Sequence, residues 1–391
     1  MQARTNWGLV LLLWACGLGA AAQYGKVSVV FDRLPDLFPG AGSAIGFVVS
    51  LVGFLGILFG VAAGVIVARA GFRRALLTGL AIGAIVSFVQ SLVPALPIFL
   101  LTRIVEGAAH LAIVVAAPTL IAQICTDQDR GLALTLWGTF FGVAFAVLGW
   151  LGLPLVAAAG IPALWVAHGI FMAVCALILW NKLPHIQAET QGPDLSEMLV
   201  AHLRIYTSPR IGAPAIGWLF YTLCFLSALT VIPQFIDPDW RAFTIGAMPL
   251  LSIASSLTLG VFLLRRSSAV TTIIVGFVLC VVISAALYFA HGSVVLALAL
   301  GAALGLVQGA TFAAVPELNM SLEDRALANG GLAQMGNLGN TVGTPLMVSI
   351  IAGFGYGGMT IALMLVFLAG CGAHLALAAR RQKTVDVRCM F

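Results

Sequence analysis

Apolar runs of membrane-spanning length recur along the whole chain, and nothing else limits its fold so strongly. Runs of about 20 residues are what a helix needs to cross the hydrocarbon of a bilayer. Inside lipid every backbone N–H and C=O must be paired within the protein, so the runs must be helices. Of the 391 residues, 61% are hydrophobic and 8% charged, against about a quarter charged in a soluble domain. The mean hydropathy is +1.09. The pattern reads as an all-α polytopic membrane protein.

Coarse helices are expected over residues 6–31, 42–68, 73–94, 97–124, 131–154 and 162–180. A polar stretch with prolines, charges and amides follows, and a short surface helix is expected near its end, at 195–203. Six more helices are expected over 213–235, 243–264, 269–290, 293–318, 326–352 and 356–379. The expected organisation is an N-terminal six-helix bundle at 1–180, a cytoplasmic linker at 181–212, and a C-terminal six-helix bundle at 213–391 with a short basic tail. The segment after Arg4 has features of a cleaved signal peptide, with Ala20-Ala21-Ala22 as a candidate cleavage site. Its apolar pattern runs on to Phe31, which favours a first spanning helix.

Charge sets the orientation. With both termini inside, fifteen of the nineteen Lys and Arg fall in cytoplasmic segments and two, Arg33 and Arg241, in external loops. This is the positive-inside bias, and it accounts for the net charge of +5 without a nucleic-acid partner. Lys26 and Arg103 remain, both within spans. The seven cysteines are scattered with no CxxC spacing and read as small apolar fillers.

The stretch Leu101 to Ile124 carries Arg103, Glu106 and His110. At about 100° per residue the three lie within roughly 60° of one helix face. Each charge in hydrocarbon costs about 2.5–3.5 kcal/mol on insertion scales, so such groups face a wet cavity or a partner. One reading is a buried Arg103–Glu106 ion pair that locks helices together. The other is a proton- or substrate-handling site, with Glu106 as proton carrier and His110 sharing the proton. On helix eleven, Gln334, Asn337, Thr341 and Thr344 lie within roughly 80° of one face. These amides and hydroxyls suit a polar solute, or else they bond neighbouring helices. Helix seven adds Tyr221. Gly56, Gly60 and Gly64 form two GxxxG steps, and Gly339 with Gly343 forms a third.

The halves look related. Asp129-Arg130-Gly131-Leu132-Ala133 is echoed by Asp324-Arg325-Ala326-Leu327-Ala328, and Glu106-Gly107-Ala108 by Gln308-Gly309-Ala310. Twelve spans, related halves and a central linker resemble the major facilitator superfamily over essentially the whole chain. The loop between helices two and three is similar to the family's G-x-x-x-D-R-x-G-R-R. It matches at Gly64, Arg69 and Gly71, with Arg73 and Arg74 one place late and Ala68 where the family has its acid. Arg103-Ile104-Val105-Glu106-Gly107 resembles the fourth-helix R-x-x-Q/E-G motif, which implies a part in proton coupling for Arg103. The fifth-helix antiporter motif is poorly kept, its Gly-Pro core being absent. Leu34-Pro35 resembles the end of the family's first helix. Counting back from it, Lys26 falls where relatives place a charged cavity residue, with Gln23 and Tyr24 beside it. A Lys snorkelling to the interface is the plainer alternative.

The resemblance implies a major facilitator fold of twelve transmembrane helices in two pseudo-symmetric six-helix bundles. It also implies a non-enzymatic secondary transporter, monomeric, in a cell membrane of the bacterial inner-membrane type. Two cations against one acid point to a small anionic solute carried with protons. Export of amphipathic or cationic compounds is an alternative. So is a non-transporting assembly factor or sensor on the same fold. Substrate-side candidates are Lys26, Gln23, Tyr24, Tyr221, Gln334, Asn337 and Thr341. Arg69, Gly71, Arg73 and Arg74 form the gate loop. No nucleotide-binding loop or metal-ligand spacing is present in the sequence, and no cofactor is expected. The expected partners are a small-molecule substrate, protons and the lipid bilayer.

The orientation is checked by labelling intact cells with a membrane-impermeant thiol reagent. A cysteine at Ala95 reacts from outside and one at Gln191 is spared; the opposite pattern reverses the topology.

Overall fold

The computed structural model describes residues 4–60, 62–183 and 195–388. Residues 184–194 of the expected linker, and Cys389, lie outside the described residues. Eleven helices among the described residues are long and apolar enough to span a membrane. They are α1 (Trp7–Ser28), α2 (Gly42–Phe59), α3 (Phe72–Ser91), α4 (Leu96–Ile124), α5 (Phe140–Ala159), α6 (Ile161–Lys182), α7 (Gly212–Phe235), α8 (Pro238–Leu264), α9 (Ala269–Phe289), α10 (Val294–Leu318) and a final helix Glu323–Gln382. That last one is 60 residues long and breaks at Gly355, where φ is 64° and ψ −161°. A positive φ is cheap only for glycine. The break leaves two spans, α11 (322–354) and α12 (356–388), and brings the total to twelve. No strand occurs among the described residues.

Short polar side chains start several of these helices. Asn6 Oδ1 accepts from the Leu9 N–H at 3.1 Å, Ser268 Oγ from the Thr271 N–H at 3.1 Å, and Ser293 Oγ from the Leu296 N–H at 3.3 Å. Each satisfies an N-terminal donor that no helix can pair internally. Glu317 Oε2 takes the Ala269 N–H at 2.8 Å. Gly71, at φ 85°, turns the chain sharply from helix Ala63–Ala70 into α3.

The chain divides into two compact units. The first takes in α1–α6 apart from Ile57–Val61; the second takes in Asp194–Phe391 together with those residues. In the first unit α1 packs against α4, α5 and α6, and α3 packs between α4 and α6. The buried side chains of α1 enter the unit's main apolar cluster. In the second unit α7 packs along α11 and α12, and α10 against α8 and α9.

Glycine sets the closest approaches, and it does so alike in both units. A Cβ on Gly107 would lie 2.4 Å from the Val52 carbonyl oxygen of α2, and one on Gly309 would lie 2.3 Å from Ser256 Oγ of α8. The two echoed glycines therefore do one job: each presses the fourth helix of its unit onto the second. Gly339 and Gly343 meet Thr222 and Leu223 of α7 in the same manner, with Cβ positions 2.0 and 2.2 Å from the facing oxygens. Gly64 has open space around it, so that GxxxG position is not a packing surface.

The helix Leu195–Thr207 is built into the second unit. Its Ile205 is fully buried with Ile211, Val315, Ala328 and Leu332. Arg204 grips both Glu323 and Asp324 at the start of α11. Tyr206 Oη donates to Gln334 Oε1 at 2.6 Å. Burial pushes the Tyr206 phenol up to about 12, so it remains a donor across the physiological range.

Close approach sorts the glycines by measurement. A Cβ on Gly305 would lie 2.0 Å from the Ser252 carbonyl oxygen. Gly305→Leu should remove most of the monodisperse protein recovered after detergent extraction, whereas Gly64→Leu should leave recovery within about twofold of the parent. Equal losses would mean that the two sites pack alike.

Candidate functional site

The first unit closes around three charged side chains, Lys26 of α1 and Arg103 and Glu106 of α4. All three are 0% exposed. Taking an ion out of water costs several kcal/mol even after relaxation, so burial on this scale requires partners for each. The partners are present. Lys26 Nζ lies 2.7 Å from Glu106 Oε1. The other carboxylate oxygen, Oε2, takes a hydrogen bond from Arg103 Nη1 and another from Gln90 Nε2 at 2.9 Å. Arg103 spends its remaining donors on backbone: Nε to the Val48 carbonyl at 2.7 Å, and Nη2 to the Gln23 carbonyl at 2.6 Å and the Val49 carbonyl at 3.3 Å. The rigid five-donor fork of arginine suits such a task, where the three-donor ammonium of lysine would leave carbonyls unmet.

Lys26 does not snorkel. Ser87 Oγ stands 2.6 Å from its ammonium and His168 Nδ1 3.3 Å away. The Ser87 hydroxyl lies 2.8 Å from the Gly83 carbonyl and 2.7 Å from the same ring nitrogen. His168 Nε2 faces the Gly19 carbonyl at 2.9 Å. A carbonyl only accepts, so the geometry assigns the neutral ring's proton to Nε2 and leaves Nδ1 as the acceptor turned towards Lys26. One lysine thus ties α1 to α3, α4 and α6.

His110 takes a separate place. Its Nδ1 faces the Ala20 carbonyl at 3.0 Å, and its ring meets Tyr24 edge-on at 5.2 Å. No hydrogen bond joins it to Glu106 among the described residues, although both lie on one face of α4. Gln23 is fully buried and Tyr24 nearly so. Neither amide atom of Gln23 has a hydrogen-bond partner, and Tyr24 Oη and Ser50 Oγ lack one too. Buried polar atoms are nearly always paired, so a cluster of uncommitted ones marks room for water or a ligand.

In the second unit Gln308 stands where Glu106 stands in the first, and it is neutral. Its Oε1 lies 3.4 Å from Tyr221 Oη and 3.5 Å from Ser252 Oγ. The expected polar face of α11 divides. Gln334 is engaged by Tyr206, and half-buried Asn337 donates back to the Ala333 carbonyl at 2.8 Å. Thr341 and Thr344 are buried with hydroxyls that meet no partner. In the gate loop Arg73 donates to the Trp180 carbonyl at 2.6 Å and lies over that indole, 5.6 Å from the ring centre. Arg74 is exposed. Ser87, Gln90 and His168 were not singled out by the sequence. They are scattered polar residues in apolar spans, and the one available signal is that Ser87 and Gln90 are three apart on one helix.

Twelve apolar spans in two six-helix units, with paired charges buried in one of them, define a polytopic membrane protein. The family model of the Major Facilitator Superfamily matches residues 13–322, and the chain belongs to that family. Over 244 residues it is 24% identical to the "Inner membrane transport protein YajR" of Escherichia coli strain K12, a match covering 62% of this chain and 52% of that protein. The chain thus spans about half the length of that curated relative. Among solved structures it is similar to the nucleoside transporter NupG, with TM-score 0.71 and 16% identity over 95% of this chain and 98% of that one. A D-xylose-proton symporter gives TM-score 0.74 and 15% identity over 95% and 97%. The fold is that of the major facilitator transporters.

Charge balance within the trio is open to test. Glu106→Ala leaves two buried cations facing each other and should cost about 3–5 kcal/mol of stability. Lys26→Met leaves the Arg103–Glu106 pair intact and should cost less. The double variant, measured by thermal unfolding in detergent, should recover part of the Glu106→Ala loss; simple additivity would show that the Lys26 contact carries no coupling.

Proposed function

We propose that the chain is a secondary active transporter that moves a small polar, anionic solute by proton-coupled alternating access. The observation that carries this reading is the surplus cation. Lys26 and Arg103 share one carboxylate, so the buried trio has a net positive charge beside uncommitted donors from Gln23, Tyr24 and Ser50. An incoming anion completes that balance. It draws Lys26, the less firmly fixed of the two cations, away from Glu106. Glu106 then keeps only Arg103 and Gln90, and with one cation fewer beside it the carboxylate takes up a proton. Solute and proton thereby enter the site together, and each leaves more readily once the other has gone. Arg103 stays in place through its three backbone carbonyls and acts as the fixed cation. His110 and Tyr24 line the same part of α1 and α4. Within the second unit, considered by itself, the candidate solute contacts are Tyr221, Asn337 and Thr341. Arg69, Gly71, Arg73 and Arg74 form the loop that moves with the gate. The chain acts as a monomer, with both termini cytoplasmic, in a membrane of the bacterial inner-membrane type.

Export of cationic compounds fits less well, because both oxygens of Glu106 are already claimed by cations or an amide. A scaffold has no need of uncommitted buried donors.

A thermal-shift screen of small carboxylates and inorganic anions supplies the solute, since a true ligand stabilises the state it binds. In proteoliposomes, Glu106→Gln should then abolish accumulation driven by a pH gradient while solute exchange continues within about threefold of the parent. Accumulation equal to the parent at equal reconstitution would make Glu106 a structural partner and remove the proton site.

A further inference from the structure

The outer side of α6 carries a second site, independent of the charged trio's role in transport. Between α1, α5 and α6 lies a crevice of about 240 Å³. Its wall includes Leu18, Ala22, Leu148, Leu151, Ala167 and Phe171, and its one polar side chain is His168. Leu151 at the mouth is 68% exposed. The crevice therefore opens at span depth, and the exposed residues of its lining, Leu151 and Phe171 among them, are apolar. The α5 wall is shaped by a wide π-type turn over Leu148–Gly152, which places both leucines and Gly152 in the lining. Such turns are rare and gather at functional positions.

From the crevice an exposed apolar track runs along α6. Phe171, Val174 and Ile178 are all exposed, and with Lys182 they fall within about 80° of one face. Phe171 and Lys182 are separated by a helical rise of about 16 Å, close to the half-thickness of a hydrocarbon core of ~30 Å. At the far end the track meets cations. Lys182 and Arg74 are exposed, and Arg73 is fixed to the last turn of α6 through the Trp180 carbonyl. The Trp180 indole is exposed as well, at the depth where such rings favour headgroups. No Asp or Glu occurs in residues 62–91 or 161–183 to neutralise this end. A cationic end, an apolar track one leaflet deep and an apolar crevice at its foot match one amphiphile in length and charge.

We propose that this surface binds an anionic phospholipid, its phosphate held by Arg74 and Lys182 and one acyl chain seated in the crevice against the back of His168. A seated chain keeps water away from the outer side of a histidine whose inner side touches Lys26 and Ser87. Basic pockets between spanning helices bind anionic headgroups by the same attraction.

The test compares thermal unfolding of the full chain in nanodiscs of phosphatidylglycerol and of phosphatidylcholine with the same acyl chains. The parent should unfold about 3 °C or more higher in phosphatidylglycerol. The double variant Arg74→Gln/Lys182→Gln should lose at least half of that difference by removing the headgroup contacts. Ala167→Trp should lose it by filling the crevice while every cation remains. The two variants act on opposite ends of the site, so a folding failure in one leaves the other informative. An unchanged lipid difference in either folded variant, or no difference in the parent, overturns the proposal. A third arm adds inorganic phosphate to protein in phosphatidylcholine: no shift is expected, and a shift equal to that of phosphatidylglycerol assigns the cations to free phosphate and overturns the lipid. None of these readouts requires transport, so failure here leaves the transport reading standing, and the reverse.

Discussion

The contact between Lys26 and Glu106 is the one on which the first unit depends. It places a cation of α1 against an acid of α4, both fully buried. Every neighbouring group is then constrained. Arg103 must find carbonyls, Gln90 must turn its amide to the carboxylate, and Ser87 and His168 must present lone pairs to the ammonium. A buried ion pair is poor evidence of stability, since an apolar replacement of the same shape often does as well. Its value lies in being breakable. A core of leucines has no second state to which one competing charge could switch it, whereas a shared carboxylate does.

The architecture was legible because lipid leaves a spanning chain so few options. Length and hydropathy are enough to place helices when all backbone groups must be paired within the chain. The break between the last two spans, expected between 352 and 356, falls at Gly355. The motif around Arg103 was legible as well, because ionisable residues in hydrocarbon are costly enough to announce themselves. What the sequence did not convey was the partner set. His168 and Ser87 carry no spacing relation to Lys26, being 142 and 61 positions away from it. Helical periodicity puts Gln334, Asn337 and Thr341 on one face, yet it cannot tell which amide another side chain takes. Tyr206 had taken Gln334, from a helix read in the sequence only as a surface element.

The echo between Glu106-Gly107-Ala108 and Gln308-Gly309-Ala310 has a physical basis in both positions. The glycine is kept because each fourth helix is pressed against a second helix with no room for a Cβ. The residue before it has diverged. An acid in one unit and an amide in the other give the same backbone plan two different electrostatic characters. At this position the first unit holds a buried charge, and the second holds a group that can only hydrogen-bond.

The helix Leu195–Thr207 belongs by its contacts to the second unit, through Ile205, Arg204 and Tyr206. For anyone wishing to dissect this chain, that fixes where the scissors go. Halves expressed as separate fragments, or exchanged with those of a relative, should be divided upstream of Leu195. A cut at the start of α7 would strand Ile205 on the wrong fragment, bare an apolar patch on the second and leave two carboxylates of α11 without their arginine. Modularity in this chain is thus offset from the helix count: six spans go with one half, and six spans and a helix with the other.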